Sequence, residues 1–191
     1  YATDWAMASS LPLFKKGASQ NKRIAIIGTG PAGLATAREL ACLGYDVTMF
    51  EAQEKVGGLG RYGIVAFRLP NDVVEWEVDQ IANLGVQIRT NTTVGEDISV
   101  DEILNSFDAV VLAVGMGNVP DLRIEGETLN GVHDAIHFIK QTKLNHLTTD
   151  LVGKRVAVIG AGNTAIDGAT SAVRLGASNV KIVYRRTEAE M

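Results

Sequence analysis

A chain of 191 residues with 46% hydrophobic and 21% charged side chains can bury the core of one or two domains and is not a disordered segment. A net charge of −4 argues against nucleic acid as the main partner. The single cysteine, Cys42, excludes a disulfide, a CxxC dithiol or a cysteine-ligated cluster built from these residues alone, and no apolar run reaches the length of a membrane span.

Residues 1–22 read as a polar lead-in without a clear period, with Trp5 and Phe14 as candidate anchors. They lack the basic and apolar regions of a secretion signal, so a cytoplasmic location is expected. From Arg23 the pattern becomes α/β. A short apolar strand is expected at 23–27, a helix at 31–43 stopped by Gly44, and a strand at 46–50 ending at Glu51. A glycine-rich loop follows over 52–69. Pro70, Asn71 and Asp72 then open a helix to Leu84, with Asp72 and Glu75 at capping-box spacing. A strand at 86–90, a short helix at 100–105 and a buried strand at 108–114 complete this part.

Helical character returns over 134–141, and a polar connection lies at 142–153. A second strand, helix and strand follow at 155–159, 164–175 and 180–184, making an approximate internal repeat. The expected fold class is α/β: a Rossmann-like domain over 23–145, then the first part of a second Rossmann-like domain over 146–191. The chain opens on Tyr1 and closes on Met191 directly after a strand, so an internal piece of a longer polypeptide is expected.

Each strand–helix–strand unit carries a glycine-rich turn. The first reads Gly28, Thr29, Gly30, Pro31, Ala32, Gly33, and the second reads Gly160, Ala161, Gly162, Asn163, Thr164, Ala165. In such a turn the first glycine allows the tight bend and the second lets a pyrophosphate approach the backbone. The third lets helix and strand pack closely, and the helix N-terminus points N–H groups at the phosphates. The residues at the end of the second strand differ in charge. Glu51 there can accept hydrogen bonds from ribose hydroxyls and repels a 2′-phosphate, whereas Arg185 and Arg186 can clamp one through charge-assisted bonds. Two dinucleotides of different kind are expected. Residue chemistry alone leaves FAD and NAD both open for the first turn, and a pair of surface arginines open for the second.

The first turn, with Gly57-Gly58-Leu59 and Phe67-Arg68-Leu69-Pro70 after it, resembles the flavoproteins that carry two dinucleotide-binding domains. Within them it is similar to the glutamate synthase small (β) subunit and the flavin module of dihydropyrimidine dehydrogenase, over about residues 22–191. The resemblance implies FAD on the first turn, with Gly58, Leu59, Arg68 and Val94 among its contacts. It implies NADPH on the second, beside Tyr184-Arg185-Arg186. It also implies hydride transfer from NADPH to FAD, then electron transfer to iron–sulfur clusters in a neighbouring domain or subunit. Many relatives have proline where this chain has Val65, which removes a rigid φ and predicts a looser loop. Asp167 matches a family position, and is equally read as an acid complementing the helix dipole.

No catalytic acid or base is expected, because hydride transfer between cofactors needs none. His133 and His137 share helical spacing but lack further ligands, so no metal site is assigned. Cys42 reads as a small buried apolar residue and 121–127 as a solvated loop. Two other classes stay open: a non-catalytic nucleotide-binding or scaffold module, and a dehydrogenase or sensor using one nucleotide.

Overall fold

The computed structural model describes residues 2–117, 119–144, 151–187 and 189. It divides into two compact units, residues 1–61 with 69–117 and residues 62–68 with 118–191. The expected division after residue 145 lies outside the described residues.

The first unit is built on four parallel strands in the order β3-β2-β1-β4: β1 (Arg23–Ile27), β2 (Asp46–Phe50), β3 (Gln87–Arg89) and β4 (Ala109–Leu112). A parallel sheet must be covered on both faces, and the alternation along its strands does this. Ile26, Val47 and Met49 pack with Ala37 and Ala41 of helix α2 (Pro31–Cys42) and with Ile81 of the helix at Asn71–Ala82. Ala25 and Phe50 turn the other way, onto Ile103 of the helix at Val100–Ser106. Phe107 closes that side, its ring edge-on to Phe50 at 5.9 Å.

The lead-in is more ordered than its composition suggests. Residues Ala2–Ala8 form a helix, since alanine has no side-chain entropy to lose there. Trp5 stays 60% exposed, whereas Phe14 packs against the core. The irregular segment that follows Phe14 lies along the α2–β2 turn. Gln20 N–H donates to the Gly44 carbonyl at 2.9 Å, and Lys16 pairs with Asp46 at 3.0 Å. Gly44 has φ +93°, and a Cβ there would stand 1.7 Å from the Ala18 carbonyl oxygen, so only glycine fits.

Caps differ from expectation. The box anticipated at Asp72 does not form: the Asn71–Ala82 helix starts from Pro70 without a side-chain cap, and Asp72 accepts from the adjacent Val73 N–H. A full capping box instead opens the Val100–Ser106 helix, between Ser99 and Glu102.

The second unit holds a parallel pair, β5 (Arg155–Ile159) and β6 (Asn179–Val183), in register from Arg155 opposite Asn179 to Ile159 opposite Val183. Helix α7 (Asn163–Arg174) connects them and packs with the helix at Ala135–Lys143. The latter is capped by Asp134, which accepts from His137 N–H at 2.7 Å.

Two carboxylates stabilise the first unit in a pH-dependent way. Asp108 accepts from Lys22 Nζ and Arg23 N–H, both at 2.8 Å, and the Lys22 hydrogen bond above all holds it below the ordinary aspartate range. Glu102 is lowered by its bonds to Ser99. A lowered folded-state pKa gives stability that is present above the unfolded value, about 4, and lost as pH falls through the folded one. Lys22 is raised, so its share is present below its unfolded value and lost only in alkali, as pH rises through the folded one. Thermal unfolding from about pH 6 to about pH 2 is therefore expected to show Tm falling below the ordinary carboxylate range, and Asp108→Asn to flatten that fall. Parallel curves for the two proteins would refute the assignment.

Candidate functional site

The first turn closes on β2 through its own backbone. Gly28 N–H donates to the Phe50 carbonyl at 2.8 Å, which places the turn beside Glu51. Gly28 has φ +102°, and a Cβ there would lie 2.3 Å from the Ala113 carbonyl beyond β4. Gly33, in the first turn of α2, would put a Cβ 2.1 Å from the Gly28 carbonyl. Both glycines are thus dictated by close packing. Gly30 is not: nothing lies within 4 Å of its virtual Cβ. It is the N-cap of α2 and offers no side-chain cap, so the first-turn donors of Ala32 and Gly33 are left for a ligand, Pro31 having none to give.

Glu51 is only 8% exposed. Its Oε2 accepts from both the N–H and the hydroxyl of Thr29, a residue with no exposed surface, and Oε1 accepts from Gln53 N–H at 2.8 Å. Its backbone is held as well, by Arg89 and Thr92. Three donors occupy three of the roughly four acceptor positions of a carboxylate, so a ribose hydroxyl can still be accepted. Thr92 is two residues before Val94, which packs beside Phe50.

Gly57 and Gly58 then fold back over this turn. Gly57 N–H donates to the Thr29 carbonyl at 3.2 Å, and the virtual Cβ of Gly58 stands 2.6 Å from Gly30 Cα. A short helix starts there (Gly58–Tyr62), carrying Leu59 half-exposed. The sequence predicts a loop here, and the structure has a helical turn. A five-residue helix is too short for periodicity to register.

In the second unit the same device recurs. Gly160, at φ +112°, donates its N–H to the Val183 carbonyl at 2.9 Å. Gly162 is the N-cap of α7, again without a side-chain cap and with nothing within 4 Å of its virtual Cβ. Ala161, Asn163 and Thr164 line this turn, Asn163 and Thr164 exposed. Ala165 replaces the third glycine, and its Cβ sits 3.8 Å from the virtual Cβ of Gly160, so the wider spacing accepts it. Arg185 and Arg186 follow β6 directly after Tyr184 and are exposed.

Comparison with known proteins gives these two turns a family. Residues 22–190 match the model of the pyridine nucleotide-disulphide oxidoreductases. The chain belongs to this family. An NADP(+)-dependent formate dehydrogenase subunit beta from Moorella thermoacetica is 42% identical over 91% of this chain and 25% of its own length. A putative glutamate synthase (NADPH) small chain from Cereibacter sphaeroides is 39% identical over 100% of this chain and 48% of its own. The structure of Mycobacterium tuberculosis FprA in complex with NADPH has a TM-score of 0.73 at 28% identity, over 86% of this chain and 44% of that one. The chain thus spans between a quarter and a half of the length of these proteins. The family's disulphide chemistry has no counterpart among these 191 residues, where Cys42 stands alone. No helix among the described residues is long and apolar enough to cross a membrane.

Within this oxidoreductase chain the structure brings Gly28, Gly30, Gly33, Glu51 and Gly58 to one cradle, and Gly160, Gly162 and Ala165 to another. Arg68 lies in the second unit, where its Nε donates to Asp167 Oδ1 of α7 at 2.6 Å. The position where many relatives have proline is packed. Val65 is 2% exposed, and its carbonyl accepts from Arg68 N–H at 3.0 Å. Sequence reasoning overlooked Thr29, which fixes the Glu51 carboxylate. Its place between the first two glycines was the available signal.

The unequal third positions can be tested by exchange. Gly33→Ala is expected to destabilise the protein by about 1–3 kcal/mol in denaturant unfolding, since its Cβ meets backbone that cannot yield. Ala165→Gly is expected to cost no more than about 1 kcal/mol.

Proposed function

We propose that this chain is the cofactor-binding part of an NADPH-dependent flavoprotein oxidoreductase, with FAD on the first cradle and NADPH on the second. The observation that carries the reading is the pair of matching turns flanked by opposite charges, Glu51 at one and Arg185–Arg186 at the other. The open space at Gly30 and Gly162 and the uncapped helices behind them fit a pyrophosphate at each. FAD held on the first cradle would supply two-electron acceptance from NADPH and one-electron donation to an iron–sulfur domain or partner subunit.

The chain's own residues bind and orient. Glu51 accepts from a ribose hydroxyl and excludes a phosphorylated sugar. Gly58 and Leu59 cover the first turn, with Val94 beside it. Asn163 and Thr164 flank the second pyrophosphate, and Arg185 and Arg186 fork onto the 2′-phosphate. No protein side chain moves a proton in the hydride step, so none is assigned a catalytic role. The names of the relatives support the partner class: subunits of a formate dehydrogenase and of an NADPH-Fe(3+) oxidoreductase, and glutamate synthase small chains. A cytoplasmic location accompanies this reading.

The full protein is expected to be isolated yellow and to lose its flavin absorbance on anaerobic addition of NADPH. Colourless protein that takes up no FAD would favour a non-catalytic nucleotide-binding module. Converting Arg185 to Glu and Arg186 to Gly is expected to raise the NADPH KM at least about tenfold and leave NADH less affected, reversing the preference. An unchanged ratio of the two kcat/KM values would refute the 2′-phosphate assignment.

A further inference from the structure

Segment 62–68 follows directly on the glycine stretch that covers the first cradle, yet it belongs to the second unit. Three of its side chains engage the helices there. Lys140 Nζ stands 4.9 Å over the Tyr62 ring, and the Arg174 guanidinium lies 4.0 Å over the Phe67 ring. Arg68 pairs with Asp167 at 2.6 Å. The two members of that pair differ in exposure: the Arg68 side chain is 51% exposed, that of Asp167 only 10%. Among the described residues no other hydrogen bond reaches the Asp167 carboxylate.

Asp167 sits in the second turn of α7, four residues beyond the first, Asn163. Along a helix axis that is about 6 Å. This is inside the Debye length of about 8 Å at physiological ionic strength, and the carboxylate is buried, so salt does not hide it. Left unpaired, it would oppose the anion that the N-terminus of α7 is arranged to hold.

We propose that Arg68 is a positioning residue of the second cradle: by pairing with Asp167 it cancels a buried negative charge beside the pyrophosphate site and fastens segment 62–68 to α7. The inference rests on the reading that this cradle takes NADP(H). It assigns to the nicotinamide dinucleotide an arginine that the family resemblance assigns to flavin.

The test measures the NADP+ dissociation constant of the full protein by equilibrium titration, with flavin content determined on the same samples. Arg68→Leu is expected to weaken NADP+ about tenfold at both low and high ionic strength, with flavin content unchanged. Adding Asp167→Asn to that variant is expected to restore most of the affinity, because the offending charge is then gone. Arg68→Lys, which keeps the charge, is expected to bind nearly as the parent does. Loss of flavin with an unchanged NADP+ constant would overturn the proposal, as would failure of Asp167→Asn to rescue. If Arg68→Leu does not fold, Asp167→Asn alone decides: binding at least as tight as the parent's supports the proposal, and weaker binding overturns it. A parent protein that retains flavin but binds no NADP+ would instead remove the cofactor assignment of the second cradle, and this inference with it.

Discussion

The arrangement depends on a single backbone hydrogen bond, made twice. In each unit the glycine that ends the first strand donates its N–H to the last carbonyl of the second, Gly28 to Phe50 and Gly160 to Val183. The bond forces positive φ at that glycine and swings the turn beside the neighbouring strand's end. It thereby decides which residues stand next to the turn. Those are the residues that carry opposite charge: Glu51 immediately after Phe50, and Arg185 two positions after Val183. The fold thus delivers a residue of each charge to the strand end beside its turn, where the proposed cofactor discrimination would lie.

The two cradles hold that charge differently. Glu51 is buried, satisfied by Thr29 and Gln53, and locked through its own backbone, so little conformational entropy remains to be lost on binding a ribose. Arg185 and Arg186 are exposed, and each long side chain has about 2 kcal/mol of rotamer entropy to lose when it is fixed. The packing behind each turn shows the same gradation. Gly33 has no room for a methyl group, whereas the second turn accommodates Ala165.

Most of the architecture was legible in the sequence because parallel strands and their connecting helices leave strong apolar periods. The strands at Arg23–Ile27, Asp46–Phe50 and Arg155–Ile159 fall where apolar runs placed them, and both glycine turns lie between the elements expected. Two short helices were not legible. The helices at Ala2–Ala8 and Gly58–Tyr62 are held by propensity and by contact, not by a repeated face. At Asp72 the capping-box spacing misleads because Pro70 takes the N-cap position, whereas the Ser99–Glu102 box carries the clearer S-x-x-E signal. The pairing of Arg68 was beyond reach for another reason. Its partner Asp167 lies 99 residues away, and spacing arguments carry no information at that range.

The contrast between a buried, hydrogen-bonded acid at one cradle and exposed arginines at the other matches the different demands on a resident and a transient cofactor. A flavin that stays through many turnovers benefits from a site whose polar partners are already fixed, since preorganisation slows dissociation. A nicotinamide dinucleotide must leave after each hydride transfer, and binding it too firmly would slow release. Under the proposed NADPH assignment, exposed guanidiniums suit that need: they would attract a 2′-phosphate at long range, and the rotamer freedom they regain on its departure would favour release. By the same reasoning the proposed compensation of Asp167 by Arg68 would matter most at the second cradle. A site that binds an anion weakly has little affinity to lose, so an uncompensated charge one turn away would cost it a larger share of its function than the same charge would cost the first cradle.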